Sequence, residues 1–198
     1  IKERRNYKES YTLFQCICKQ LDIENPAFMT AAETFIEMAV QITASDLDAE
    51  IRSTCQPLMI IAPKIFPDNV ESQLPIFLQS ELSLAVQFTT NDREFSSCDI
   101  EFLKDFVYSV VKYIENSSDI VRNLLTFATN NISSQEPDPA SLQVALLAMS
   151  SITGAASEDF FDNEEDTIGE IILFSLTTAN DSFIFDACCE FLISASDQ

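Results

Sequence analysis

The 198-residue sequence has no histidine, no tryptophan and only two glycines, Gly154 and Gly169. Without histidine there is no His-based catalytic triad, no His-ligated zinc and no imidazole proton switch within this chain. Two isolated glycines exclude the Gly-rich phosphate loops of the Rossmann and Walker types, and they disfavour the all-β folds whose tight turns need glycine. Cations are scarce as well, with 11 Lys and Arg against 32 Asp and Glu, a net charge of −21. A nucleic-acid binder must supply cations to displace the counterions around phosphates, so direct nucleic-acid binding is not expected. The scarcity is uneven. Lys2, Arg4, Arg5 and Lys8 sit at the N-terminus, whereas no cation follows Arg122 and residues 123–198 carry 13 carboxylates. Such a surface repels anionic membranes and attracts basic peptides or proteins; solubility alone is the alternative reading.

Long hydrophobic runs are also missing. No apolar stretch reaches the ~18 residues of a membrane span, and no secretory signal precedes the first helical pattern, so membrane insertion is not expected. The six cysteines, Cys16, Cys18, Cys55, Cys98, Cys188 and Cys189, follow neither a zinc nor a disulfide-framework spacing. They read as small apolar residues of a reduced core. With Ile1 in first place, the expectation is an intracellular piece of a longer chain.

What is present is apolar and helical. Hydrophobic residues make up 46% of the chain and 16 residues are Phe, which argues against disorder. Between 27 and 42 the series Phe28, Ala31, Ala32, Phe35, Ile36, Ala39 and Ile42 forms one helical face, with Thr30, Glu33, Glu37 and Gln41 opposite. Between 99 and 114, Ile100, Leu103, Val107, Val110, Val111 and Ile114 line a face, and Glu101, Lys104, Asp105 and Lys112 turn outward. Between 139 and 153 the face is Leu142, Ala145, Leu146, Met149 and Ile152, entered through Asp138 as a cap and Pro139 with its φ already set. A helix over 48–66 meets Pro57, which should kink it, and Pro63, which should end or bend it. Pro75 places the regular part of the next helix near Leu74, and further helices near 6–21, 118–132, 166–178 and 182–196 complete a set of nine.

The nine starts, near residues 6, 27, 48, 72, 99, 118, 139, 166 and 182, have a mean interval of 22 residues, or 44 per pair. That lies within the ~40–47-residue period of HEAT and armadillo repeats, whose stacked helix pairs bury a continuous core. The predicted fold is therefore all-α, an α-solenoid of about four to five HEAT-like helix pairs, with residues 1–198 as a single segment. In the last helix Ser182, Asp186, Glu190 and Ser194 make one thin polar stripe, and Phe183, Ile184, Phe185, Ala187, Cys188, Cys189, Phe191, Leu192 and Ile193 fill the rest. A helix so apolar is expected to have neighbours around most of its circumference, supplied by further chain or by another protein.

The densest charge cluster is Glu158, Asp159, Asp162, Glu164, Glu165 and Asp166, six carboxylates within nine residues around Phe160 and Phe161. Lying between two predicted helices, it reads as an exposed anionic loop able to pair with Lys or Arg of a partner. The alternative is a solvated loop that also sets carboxylates at the next helix N-terminus, where the dipole favours them. A calcium loop is excluded, because counting from Asp162 puts Thr167 where glycine is needed and Leu173 where glutamate is needed. With no histidine and no Lys in 123–198, a nucleophile there has no nitrogen base, and no enzyme activity or cofactor is expected.

The stretch from Asp138 to Gln198 resembles HEAT repeats of the importin-β (karyopherin-β) nuclear transport receptors. Pro139 to Gly154 resembles a first helix, Thr167 to Thr178 a second, and Ala179 to Ile193 the turn and next first helix; Ser141 to Ile184 is 43 residues, one repeat. The family pattern of Asp, a β-branched residue and Arg is met by Asp48, Ile51 and Arg52, and in part by Asp119, Val121 and Arg122; in the last repeat Phe185 stands at the Arg position. The resemblance implies a superhelix that wraps basic cargo, binds the GTP form of Ran and offers apolar grooves to Phe-Gly nucleoporins, in the cytoplasm and nucleus. A HEAT scaffold of another class, phosphatase regulatory or chromosome-organising, is the second expectation, and a self-contained helical bundle that binds a basic protein is the third.

Overall fold

A computed structural model of the chain describes residues 26–43, 49–91, 98–115, 117–153, 155, 158–177 and 180–196. The helix expected near 6–21 and the basic N-terminal residues lie outside them. Among the described residues the protein is all-α and contains no strand. Its eight helices of a dozen residues or more are α1 (Pro26–Thr43), α2 (Ala49–Ile65), α3 (Leu74–Asn91), α4 (Cys98–Tyr113), α5 (Ser118–Ile132), α6 (Pro139–Ser150), α7 (Glu158–Thr177) and α8 (Ser182–Ser196). The chain separates into two compact units, Ile1–Ser80 and Glu81–Gln198, with α3 running from one into the other.

In the first unit α1 packs against α2. Ala32, Ile36 and Ala39 of α1 and Leu58, Met59 and Ala62 of α2 are buried and Thr30, Glu33, Glu37 and Gln41 exposed, as the helical periodicity predicts, whereas Ala31, expected on the apolar face, is exposed and Val40, outside that face, is buried. Neither proline ends the helix. Helix α2 runs through both Pro57 and Pro63, and the Phe66 N–H still donates to Ala62 O at 2.7 Å. The break comes at Phe66 (φ −132°, ψ 53°), the residue before Pro67, because the pyrrolidine ring of a following proline drives its predecessor out of the α region. Pro67 then opens a single helical turn, Pro67–Val70, followed by a 3-10 turn, Glu71–Gln73.

The second unit is built around α6, which packs against α4, α5 and, most extensively, α8; α7 packs against α5 and α8. Asp138 starts α6. Its backbone is extended (φ −83°, ψ 113°), and its carboxylate accepts from Ala140 N at 3.3 Å and Ser141 N at 3.1 Å, with Pro139 needing no acceptor. Asn131 holds the cap in place, since its Nδ2 donates to Asp138 O at 2.8 Å and its Oδ1 accepts from Asp138 N at 2.9 Å. The helix ends at Ser150, three residues sooner than its apolar pattern predicts. There Ser151 N and Ile152 N bond three residues back, to Ala148 O and Met149 O, and the hydroxyls of Ser151 and Thr153 take the carbonyls of Ala148 and Ser150.

Two further differences matter. Every residue from Leu142 to Ser150 is buried, Gln143 and Ser150 included, so α6 has no solvent face at all. Helix α7 begins at Glu158, not at 166, so the acidic segment expected as a loop is the first two turns of a helix. Carboxylates at a helix N-terminus meet the positive end of its macrodipole, which stabilises this longer form. Helix α8 starts as expected. Asp181 caps it through Phe183 N at 3.0 Å and Ile184 N at 3.2 Å, and Asn180 turns the chain into it at φ 43°, a left-handed value that Asn tolerates.

Candidate protein-binding surface

Glu158, Asp159, Asp162, Glu164, Glu165 and Asp166 all belong to the N-terminal half of α7. The side chains of Glu158, Asp159 and Asp162 lie outside the described residues. The other three divide into two roles. Glu164 is partly buried and accepts from Arg122 Nε of α5 at 3.2 Å, so this member of the cluster is spent within the molecule. Glu165 and Asp166 are exposed, and among the described residues neither forms an ion pair. One turn on, Glu170 is exposed as well. The surface of α7 therefore presents carboxylates at successive turns, with no cation of its own helix or of any residue after Arg122 to neutralise them.

The C-terminal half of α7 and the outer side of α8 carry apolar surface. Leu173 is 63% exposed and Ile193 62%, and Leu176, Phe185 and Leu192 are exposed with them. The sequence reading found this surface on α8 but missed it on α7, where Leu173 and Leu176 stand off the buried line of Ile168, Ile171 and Ser175.

A third feature was not anticipated. Lys104, expected to face outward from α4, turns inward, and its Nζ donates to Glu190 Oε1 of α8 at 2.8 Å. Ser150 Oγ at the end of α6 lies 3.2 Å from the same oxygen, and Glu101 is 3.6 Å from Lys104. Burial alone would lower the ammonium pKa, but the hydrogen bond and charge of Glu190, with the nearby charge of Glu101, hold Lys104 above its ordinary range. Cys188, buried on the same helix as Glu190, has its thiol pushed up to about 11 by burial and secondarily by Cys189.

Among the described residues, no three His, Cys, Asp or Glu side chains come together as a metal site. No described helix is long and apolar enough to cross a membrane. Compared with protein-family models, with curated proteins and with solved structures, the chain matches none of them.

Proposed function

We propose that this chain is a protein-binding helical scaffold that recruits a basic protein segment through the anionic surface of α7 and acts without catalysis. The observation that carries the reading is the exposure of Glu165, Asp166 and Glu170 on one helix, in a region that holds no cation after Arg122. A partner rich in Lys or Arg supplies the charges that the chain lacks.

The finer form of the proposal is a HEAT-like stack within a nuclear transport receptor of the importin-β type, working between cytoplasm and nucleus on basic cargo, Ran and Phe-Gly nucleoporins. Two features support it. Alternate helices are neighbours, α4 with α6 with α8 and α5 with α7, as in two rows of stacked pairs. The Arg122–Glu164 ion pair joins α5 to α7 across 42 residues, close to one repeat period. In place of the family's Asp–Arg rung, this one uses glutamate.

One observation favours the self-contained bundle instead. Lys104 of α4 meets Glu190 of α8, and α6, which lies against both, is buried from Leu142 to Ser150. In an extended stack, helices two places apart in a row are separated by the width of the helix between them, about 10 Å or more.

Binding of an Arg/Lys-rich import-signal peptide, followed by fluorescence anisotropy, tests the common part of the proposal. The expected result is salt-sensitive binding that Glu165→Gln with Asp166→Asn weakens about two- to fivefold. No binding at low salt, or the same affinity for an acidic control peptide, overturns it. Binding to Ran in its GTP form but not its GDP form favours the receptor, assembly with a catalytic subunit favours a phosphatase or chromosome scaffold, and a compact scattering profile favours the bundle.

A further inference from the structure

Helix α7 is packed on one side and bare on the other. Ile168, Ile171 and Ser175 are buried, while Glu165, Asp166, Gly169, Glu170, Leu173 and Leu176 are exposed. Steps of three and four residues join those six into one stripe about 16 Å long. Its chemistry is divided. The N-terminal part holds three carboxylates, and the C-terminal part holds two leucines.

Gly169 sits between the two parts. After proline, glycine is the residue least suited to a helix interior, because it has the most backbone freedom to lose. Nothing inside the molecule asks for it here. Its φ is not positive, and a Cβ added to it would meet nothing within 4 Å. What the missing side chain does provide is a notch on the outer face, where the backbone of a second helix can come close.

We propose that this stripe seats a single partner helix, laid antiparallel to α7 and crossing it at Gly169. The partner's N-terminal half is apolar and covers Leu173 and Leu176; its C-terminal half carries Lys or Arg and faces Glu165, Asp166 and Glu170. This rests on the reading of α7 as an anionic docking surface and adds the partner's shape and direction. Charge complementarity identifies the occupant, since the carboxylates have no cation on their own helix. The macrodipoles set the direction. Cations are favoured at a helix C-terminus as carboxylates are at an N-terminus, so only the antiparallel arrangement places both sets of charges where their own helices stabilise them. It also brings the positive end of α7 to the negative end of the partner.

Three synthetic peptides of about 16 residues, titrated against the whole chain by fluorescence anisotropy, test this. One is Leu-rich in its N-terminal half and Lys/Arg-rich in its C-terminal half, the second has the halves exchanged, and the third is basic throughout. The first should bind about fivefold more tightly than the second. Leu173→Ser with Leu176→Ser should weaken the first about tenfold and change the all-basic peptide by less than about twofold. Gly169→Ala should raise the melting temperature yet weaken the first peptide about threefold, and Gly169→Gln should weaken it about tenfold. A glycine with a purely structural role would not move stability and affinity in opposite directions. Equal affinity for the first two peptides, or unchanged affinity in Gly169→Gln, overturns this inference, and the reading of a basic partner still stands if the all-basic peptide binds. Failure of all three peptides at low salt overturns both.

Discussion

At the scale of single residues, Asp138 shows how a local signal sets a boundary. Its carboxylate satisfies two of the orphan N–H groups at the start of α6, and its own backbone is clasped by Asn131. Asp138→Ala should lower stability by about 1 kcal/mol in urea unfolding, and Asp138→Asn by less, since Asn also caps. This cap was legible in the sequence because it depends on two adjacent residues, Asp138 and Pro139. Burial was less so. Leu146 and Ile171 have no exposed surface, and truncating either to Ala should cost about 2–5 kcal/mol by leaving a cavity. Leu173 and Ile193 are as apolar, yet Ser at either position should shift the unfolding midpoint by no more than about 0.5 kcal/mol, because each is already more than half in water. Composition cannot separate these two pairs; only their neighbours do.

At the scale of elements, α6 and α7 show where periodicity informs and where it misleads. Helical spacing reports one solvated face, and it served well for α1, whose polar positions are exposed. In α6 the same spacing named four of the ten buried residues, because a helix with α4, α5 and α8 around it has no solvated face from Leu142 to Ser150. In α7 the acidic residues were read as a loop because they lie between two expected helices, although a helix N-terminus is where carboxylates are most at home. Within α7, a Cβ added at Gly169 would meet nothing within 4 Å, so Gly169→Ala should stabilise the protein by about 0.5–1 kcal/mol, seen as a raised melting temperature. The Arg122–Glu164 pair should contribute little by comparison. Arg122 is 60% exposed, and Arg122→Gln should cost less than about 1 kcal/mol in the same measurement.

At the scale of the whole molecule, Cys188 and Lys104 make stability depend on alkaline pH. Cys188 has a folded pKa near 11 against an ordinary value of 9.0, and Lys104 is raised above 10.5. Both shifts are upward, so the folded state holds its protons more tightly, and the stability this confers is complete below the unfolded values. For Cys188 it is lost as pH rises from about 9 to about 11, and for Lys104 only above its ordinary range. Urea midpoints measured across that window should fall, and Cys188→Ala should remove the earlier part of the decline. The net charge of −21, by contrast, was plain from composition and governs which partners can approach. The sequence by itself determined that the protein is helical, where most of its helices start, and that its surface is anionic, since these follow from spacing, caps and counts along a few residues at a time. Only the tertiary structure decided that α6 is the enclosed helix, that Glu164 is withdrawn from the acidic cluster, and that Lys104 meets Glu190 from 86 positions away. Contacts between residues so far apart in the chain depend on how whole helices pack, and no local pattern encodes that.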